Sequence, residues 1–468
     1  MRSIIRGAGA RCGLLVLLAT GGSLALATPA LAIQAINVTT TQDGTVAGKT
    51  TLRQAIDQAN AASGEVEIVL AARGTYTLSQ CAPGTDTSNR EGPLTYFGSV
   101  PVTFEGNGNT LRQTCPGDRI LNLQTAELVN INDLTLTGGD AAGQPGGGVW
   151  SQGTGELDLK NDVFTNNHSD AAGGGVANGG GKLVITGTTF NTNSGTELAG
   201  GIASIGPMEL VNSTVTGNTG GTAPGSPANV GGIAASSGLT MIYSTVQDNT
   251  AQNINVQQGG LASFGSAVGL SHPTGKTYPD CQINGGTKSY GYNFSADQSC
   301  GFGGGPGDRS GGGDPKFEPE FTTTGALEIV PKKGSRLIDV IPKSACAPPA
   351  VAALAPVYVN LHFDQVGTRR PQGKGCDIGA IEVPMPTAAF TVKPHGPKAG
   401  RTVKFTSTSK ELGGRVVSYT WAFGDHSRKA HGRTVKHVFK HRGRYTVTLT
   451  VKDAAGNTAT KKIRIKVS

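Results

Sequence analysis

A repeat between Gly146 and Leu261 constrains the fold of this chain more than any other feature. Four copies begin with a glycine pair and an aliphatic residue: Gly147-Gly148-Val149, Gly174-Gly175-Val176, Gly200-Gly201-Ile202 and Gly231-Gly232-Ile233. A fifth copy begins at Gly259-Gly260-Leu261, and the aliphatic residues follow at steps of 27, 26, 31 and 28. Repeats of this length, built from short strands and small turn residues, indicate a solenoid of stacked coils. We therefore predict a parallel β-helix.

Each copy also carries a strand and an asparagine turn. In Lys182–Thr186 apolar and polar residues roughly alternate, so one face can point inward. The asparagine turns are Phe164-Thr165-Asn166-Asn167, Phe190-Asn191-Thr192-Asn193, Val215-Thr216-Gly217-Asn218 and Val246-Gln247-Asp248-Asn249. We expect these asparagines to stack and to bond the backbone of the next coil. We expect the glycines to serve tight corners, where a positive φ is needed and side chains would clash. A disordered Gly/Asn-rich tract is the alternative, but the apolar positions keep their phase.

Residues 1–32 have the pattern of a signal peptide. Three arginines precede the apolar run Leu14–Leu18, and Ala30-Leu31-Ala32 provides a small-x-small cleavage site. A retained membrane anchor is the alternative, and no later stretch is long and apolar enough to span a bilayer. The sequence predicts a secreted protein that is extracellular or at the cell surface.

Six cysteines follow the predicted signal peptide: Cys81, Cys115, Cys281, Cys300, Cys346 and Cys376. Proximity along the chain favours the pairs 81–115, 281–300 and 346–376, each closing a loop that interrupts the repeat. No close cysteine pair or accompanying histidine suggests a zinc site. We expect three structural disulfides and no metal centre.

Residues 33–65 are expected to form an N-terminal cap on the coils. Thr51–Asn60 is predicted to be an amphipathic helix with a capping box of Thr51 and Gln54. The stretch Thr50–Ile56 resembles the Cys-Ser-Leu-Arg-Glu-Ala-Ile motif of a family of secreted β-helix proteins. Thr50 and Gln54 replace the cysteine and the glutamate of that motif.

The far end of the predicted β-helix, residues 66–384, carries a second resemblance. Gly334–Asp339, Asp364–Gly373 and Cys376–Glu382 are similar to the terminal segment of choice-of-anchor type Q surface proteins, which implies a right-handed parallel β-helix. Asp364, Arg370 and Asp377 within it could form a catalytic carboxylate–arginine cluster. We favour a structural role, in which they cap the last coil and satisfy its exposed backbone groups.

Residues 385–468 differ sharply in charge from the rest of the chain. They hold 11 Lys and 7 Arg against three acids, a net charge of +15, whereas residues 33–384 have a net charge of −10. The predicted strands are Thr402–Ser407, Val416–Phe423, Thr434–Phe439, Gly443–Lys452 and Thr458–Val467. Alternation of apolar residues and threonines along these strands predicts an Ig-like β-sandwich. The whole chain is therefore predicted to be all-β.

Three motifs of this tail resemble the polycystic-kidney-disease (PKD) type repeat: Trp421–Asp425, His437–Phe439 and Tyr445–Asp453. We expect Trp421 to lie in the core and Asp425 to order a turn. In bacterial secreted proteins, such domains usually serve as spacers or as binding accessories.

A dense cationic stretch in the tail is the main candidate binding site. Its proposed polyanion-binding residues are Arg428, Lys429, Arg433, Lys436, Lys440, Arg442 and Arg444. A merely solvated basic face is the alternative. Since no nucleic-acid-reading motif accompanies the charge, anionic cell-wall polymer or acidic polysaccharide is the favoured partner. No cofactor is predicted. Calcium stays open, although the glycine-rich loop Gly303–Gly313 does not match a calcium-binding repeat.

An enzymatic role must be weighed, because β-helices often belong to polysaccharide lyases and glycoside hydrolases. The coils offer few candidates for acid–base chemistry: Asp158, Asp162, His168, Asp170, Glu197 and Asp248. They do not recur at one phase of consecutive coils, and no catalytic residue is assigned. We predict a non-catalytic exported protein with a β-helix stalk or binding face, and keep an enzyme acting on an acidic glycan as the alternative. The oligomeric state stays open.

Overall fold

The computed structural model describes residues 33–81, 89–221, 230–271, 278–321, 327–356, 359–410, 416–453 and 456–468. The predicted signal peptide, residues 1–32, lies outside the described residues. Over the described ranges, the structure contains no helix long and apolar enough to cross a membrane.

Stacked coils form the first part of the fold, as the repeat predicts. Parallel strands stack into four ladders, numbered I to IV in the order in which a coil such as 176–195 visits them. Each ladder hydrogen-bonds the equivalent strands of successive coils, so no coil has to bury its apolar face alone. The prediction of a parallel β-helix is confirmed.

The strands of the four ladders have the following bounds. Ladder I contains Leu94–Tyr96, Leu121–Leu123, Val149–Ser151, Val176–Asn178, Ile202–Ser204, Val230–Ala235, Gln252–Val256 and Cys281–Ile283. Ladder II contains Gln34–Val38, Val66–Leu70, Leu157–Lys160, Leu183–Thr186, Met208–Val211, Leu239–Ile242, Leu261–Phe264 and Thr287–Gly291. Ladder III contains Thr75–Leu78, Val163–Thr165, Thr189–Asn191, Thr214–Thr216, Thr245–Gln247, Ala267–Val268 and Phe294–Ser295, while Val102–Gln113 and Val129–Thr137 run through ladders II and III. Ladder IV contains Asp140–Ala141, His168–Ser169, Ser194–Gly195 and Thr219–Gly220.

The glycine pairs confirm the expected steric role at tight corners, but they do not have the positive φ that we also expected. None of the pairs that open the first four copies has a positive φ. A Cβ on Gly174 would lie 2.2 Å from the carbonyl oxygen of Ser194, and one on Gly175 would lie 2.7 Å from that of Gly201. The pair therefore occupies the corner between ladders IV and I, where the chain packs against the next coil without room for a side chain.

Asparagines stack along the corner between ladders III and IV, as predicted. The Oδ1 atom of Asn193 accepts from the backbone N–H and from Nδ2 of Asn167, at 3.1 and 3.0 Å. Asn193 bonds Asn218 in the same way, and Asn218 bonds Asn249. This continuous ladder satisfies backbone groups that turn inward at the corner.

A second polar ladder follows the corner between ladders II and III, and the sequence reading missed it. The backbone N–H of Asp162 donates to the hydroxyl of Thr188, and that of Thr188 donates to the hydroxyl of Ser213. Ser244 and Ser266 continue the series. Short hydroxyl side chains thus accept hydrogen bonds from backbone N–H groups at this corner, as the asparagine side chains do at the corner between ladders III and IV.

The prediction that a fifth copy begins at Gly259 is wrong, because this glycine pair precedes a ladder II strand and not a ladder I strand. Leu261 pairs with Leu239 in ladder II, whereas Ile254 takes the next position after Ile233 in ladder I. The coil returns from ladder III to ladder I without a ladder IV strand. Asn253 stands where the second glycine would be, and its Oδ1 accepts from Nδ2 of Asn249 at 2.9 Å, which extends the asparagine ladder.

The N-terminal helix runs over Leu52–Asn60 and packs against the first coils. Its capping box of Thr51 and Gln54 is present, and its predicted apolar face is buried. Arg53 is also buried: it pairs with Asp43 and donates to the carbonyl of Gly92 at 2.9 Å. The cap is therefore tied down by a buried ion pair as well as by apolar packing.

The segment after the coils lies along their side. Its elements are the antiparallel strands Phe317–Phe321 and Leu327–Pro331, the antiparallel pair Ile341–Pro342 and Gly375–Cys376, the 3₁₀ turn Lys343–Ala345 and the helix Pro349–Ala352. The side chain of Gln365 bonds Thr189 and Thr214, and the N–H of Ala380 donates to Thr245. Ladder III of several coils is thus covered on its outer face.

All three predicted disulfides are present: Cys81–Cys115, Cys281–Cys300 and Cys346–Cys376. All three lie outside the repeat Gly146–Leu261, but only Cys346–Cys376 closes a loop outside the coils. The chain between Cys81 and Cys115 and that between Cys281 and Cys300 contain ladder strands, so the expectation of irregular loops is wrong for these two.

A β-sandwich forms the tail. Phe390–Lys393, Thr402–Ser407 and Thr434–Val438 make a three-stranded sheet, and Ala430–His431, Val416–Ala422, Gly443–Asp453 and Thr458–Val467 make a four-stranded one. Strands Phe390–Lys393 and Ala430–His431 were not predicted. Trp421 is fully buried between the sheets with Phe405 and Leu449, and its indole N–H donates to the carbonyl of Gly432 at 2.9 Å.

Candidate functional site

Apart from the pair His168 and Asp170, the acid–base candidates named from the sequence do not converge. Asp158 lies in ladder II, Asp162 at the corner that follows, and His168 in ladder IV. Asp248 lies at the corner after ladder III, and Glu197 after ladder IV. Since acid–base catalysis needs its groups within reach of one substrate bond, the structure does not assemble these residues into one site.

Asp162 has a structural role within the hydroxyl ladder. Its carboxylate accepts from the N–H groups of Leu134 and Lys160, both at 2.9 Å. Burial raises the pKa of Asp162, although these two hydrogen bonds oppose the rise.

The sequence His168-Ser169-Asp170 does not form a hydrolase triad. The imidazole lies 3.1 Å from Asp170 Oδ1 through Nε2 and 2.8 Å from the hydroxyl of Ser194 through Nδ1. The Ser169 hydroxyl is buried and donates instead to the carbonyl of Gln144 at 2.8 Å. Ser169 and His168 are therefore engaged with different partners, and the serine that contacts the imidazole is Ser194.

Asp364, Arg370 and Asp377 do come together, and Glu382 joins them. Arg370 is 1 % exposed, pairs with Glu382 at 3.2 Å and donates to the carbonyls of Gly379 and Ala380. Its guanidinium lies 4.1 Å above the centre of the Tyr243 ring.

The carboxylates of this cluster accept from the backbone of their own segment. Asp364 accepts from the N–H groups of Thr368 and Glu382. Asp377 accepts from those of Asp339 and Val383, and burial raises its pKa despite these bonds. The cluster folds the segment against the side of the coils, so the prediction that it caps the last coil is wrong in its location.

The seven cations predicted in the tail are all exposed but do not form one patch. Arg428 and Lys429 lie in the turn after strand Val416–Ala422, and Lys440 and Arg442 lie in the turn before Gly443–Asp453. Arg433 precedes strand Thr434–Val438, and Lys436 points outward from it. Arg444 points outward from the opposite sheet.

The acids that the structure describes in this domain are already engaged. Asp425 lies 2.7 Å from Nε2 of His437, and the hydroxyl of Ser427 donates to it at 2.6 Å. Partial burial opposes ionisation, but these hydrogen bonds outweigh it and lower the pKa of Asp425. Asp453 is buried and accepts from the N–H of Asn457. As predicted, Asp425 orders a turn, and neither acid lies on an outer sheet face.

Sequence reading missed six cations that point outward from strands: Lys393, Lys404, Lys452, Lys462, Arg464 and Lys466. Their signal was the period of two along each strand, which places them on the side opposite the buried apolar residues.

Among the described residues, no group of three or more His, Cys, Asp or Glu side chains is placed to hold a metal ion. Whether the protein binds calcium therefore stays open.

Comparisons with known proteins concern the tail. Residues 384–467 match the family model of the PKD domain. Collagenase ColA of Bacillus cereus is 35% identical over 80 residues, 16% of this chain and 8% of that protein. The microbial collagenase of Vibrio alginolyticus is 34% identical over 84 residues, 18% of this chain and 10% of that protein. The chain thus spans a tenth or less of the length of these relatives.

Among solved structures, the PKD1 domain of Vibrio anguillarum Epp is similar to the tail at 31% identity. The match covers 18% of this chain and 94% of that domain, with a TM-score of 0.16. The resemblance of residues 33–384 to choice-of-anchor proteins stays a prediction. Residues 384–467 form a PKD domain, appended to a parallel β-helix.

Proposed function

We propose that this chain is an exported, non-catalytic surface or extracellular protein whose PKD domain binds an anionic cell-wall polymer or acidic polysaccharide. One observation carries the proposal: among the described residues of the domain, no ion pair joins an exposed lysine or arginine to an acid. Asp425 is paired with His437, and Asp453 is buried. A net charge of +15 on about 80 residues then creates a strong attraction for polyanions, which added salt screens.

The β-helix supports this proposal as a rigid spacer or second binding face. Its ladders hydrogen-bond every coil to the next, and polar side chains satisfy two of its inner corners. Such a stack resists bending, because each coil is packed against its neighbours. A stalk of this kind would hold the cationic domain at a fixed distance from whatever the other end displays.

Binding to a soluble uronic-acid polymer tests the proposal. We expect residues 33–468 to bind it with an affinity that falls steeply as salt rises. Replacing the seven predicted cations with glutamine should weaken binding by at least about tenfold at low salt and flatten the salt dependence. The matched control replaces seven exposed cations of residues 33–384 with glutamine: Lys49, Arg73, Arg112, Lys288, Lys316, Lys332 and Lys374.

The control should change the affinity by less than about twofold, because it alters the net charge by the same amount but leaves the tail intact. Absent or salt-insensitive binding of the unaltered protein would contradict the proposal. Incubating the polymer with the protein, with and without calcium, tests the non-catalytic part. Release of unsaturated or shortened products would favour the polysaccharide lyase or hydrolase instead.

A further inference from the structure

Three lysines form a row across the three-stranded sheet of the PKD domain. Lys393 pairs with Lys404, and Lys404 pairs with Lys436, on three adjacent strands. All three are exposed, and neighbouring strands lie about 4.8 Å apart. Like charges directly opposite one another on a sheet are destabilising. The row therefore carries a repulsion that a bound anion would relieve.

The opposite sheet carries a second cationic face, arranged along a strand instead of across strands. Lys462, Arg464 and Lys466 point outward from one strand at intervals of about 6.8 Å, and Arg444 lies directly opposite Lys466. The neighbouring strand adds Thr446, Thr448, Thr450 and Lys452 to this face, and the threonine hydroxyls are donors and acceptors suited to sugar hydroxyls.

Protection of sheet edges does not account for these cations. Lysines on edge strands block unwanted strand pairing, and that purpose could explain Lys462 and Lys466. Lys404 lies on the central strand of its sheet, between two other lysines. None of the ion pairs found among the described residues of the domain involves a lysine or an arginine. The row thus has no partner in the described part of the molecule.

We infer that the PKD domain is bivalent: each outer face binds its own chain of acidic polysaccharide, so one molecule bridges two chains. The inference rests on the proposed function. The two faces point away from each other, because the inward sides of both sheets form the buried core around Trp421 and Phe405. Packed sheets are about 10 Å apart before their outer side chains are added. An extended polymer that lies on one face therefore cannot reach the other without turning around the domain.

A capture assay with residues 33–468 tests the inference. A biotinylated uronic-acid polymer is immobilised, the protein is captured on it, and the same polymer carrying a fluorophore is added in solution. One variant replaces Lys393, Lys404 and Lys436 with glutamine. A second replaces Lys462, Arg464 and Lys466. The control variant replaces Arg112, Lys332 and Lys374, three exposed cations outside the tail.

We expect the unaltered protein and the control to capture the labelled polymer. Each single-face variant should still bind the first polymer, within about tenfold of the unaltered affinity, but lose at least about nine-tenths of the second capture. Tryptophan fluorescence, to which the buried Trp421 contributes, and the thermal midpoint verify that both variants are folded. Light scattering gives the oligomeric state, since a dimer with one active face per subunit would also bridge.

Different outcomes overturn different statements. If the unaltered protein binds no polymer, both the proposed function and bivalency fail. If it binds the first polymer but not the second, bivalency alone fails. Bridging that persists in either single-face variant would assign it to self-association or to the turns and would also overturn bivalency. Duplex DNA that displaces the polymer at a tenfold lower charge concentration would show that the occupant is a nucleic acid instead.

Discussion

Replacing Asn218 with alanine should destabilise the β-helix more than an ordinary surface change. Asn218 is fully buried, and its Oδ1 accepts from the backbone N–H and from Nδ2 of Asn193, both at 3.0 Å. Its Nδ2 donates to the carbonyl of Phe190 at 3.0 Å and to Oδ1 of Asn249 at 2.9 Å. The change leaves the backbone N–H of Asn193 and one hydrogen of its Nδ2 without an acceptor, although Nδ2 keeps the carbonyl of Phe164, and it opens a void the size of an amide. At about 1–3 kcal/mol for each unsatisfied group, the expected loss is about 3–5 kcal/mol.

The chain has two tryptophans, one in each domain, which makes the measurement specific. In a Trp421→Phe background, the fluorescence of Trp150 reports on the coils alone during urea unfolding. The matched control is Asn130→Ala, which removes a partly exposed amide with one side-chain bond, to Thr103 at 3.1 Å. The control should shift the free energy of unfolding by at most about 0.5 kcal/mol. Equal shifts for Asn218→Ala and the control would refute the idea that the asparagine ladder stabilises the stack.

Three further changes probe other parts of the fold. Gly201→Ala should cost about 1–3 kcal/mol in urea unfolding, because its Cβ would lie 2.7 Å from a carbonyl oxygen of the next coil. Gly304→Ala, with no atom within 4 Å of the added Cβ, should cost almost nothing. Burial raises the pKa of Asp280 to about 6, so the folded state binds more protons than the unfolded one between about pH 4 and 6 and loses stability as pH rises. Asp280→Asn should therefore gain stability relative to the unaltered protein from pH 4 to pH 7.5, and a pH-independent difference would contradict this. Arg53→Ala, which leaves a buried carboxylate unpaired, should cost about 3–5 kcal/mol in thermal unfolding, whereas the exposed Arg73→Ala should have little effect.

The fold could be predicted from the sequence at positions where a residue type has a single structural role. The asparagines keep their spacing because each must reach the next coil. The helix after Thr51 could be predicted from its capping box. The fifth copy misleads because a glycine pair can serve two purposes. Gly259 and Gly260 both have a positive φ, of 76° and 73°, whereas the pair at Gly174 permits close packing. The sequence alone does not show whether a glycine is present because the backbone has a positive φ or because a neighbouring atom leaves no room for a side chain.

The cationic site shows a different limit, which follows from the geometry of strands. The cationic stretch is continuous in sequence, but it does not stay together in the fold. Lys436 and Arg444 point away from each other on opposite sheets. Conversely, Lys393 and Lys404 are separated by a turn in sequence and yet are direct cross-strand neighbours. Antiparallel pairing thus decides which charges add together, and register is a property of the assembled sheet rather than of any one strand. The net charge of the tail predicts attraction to a polyanion, whereas only the register divides that charge between two faces.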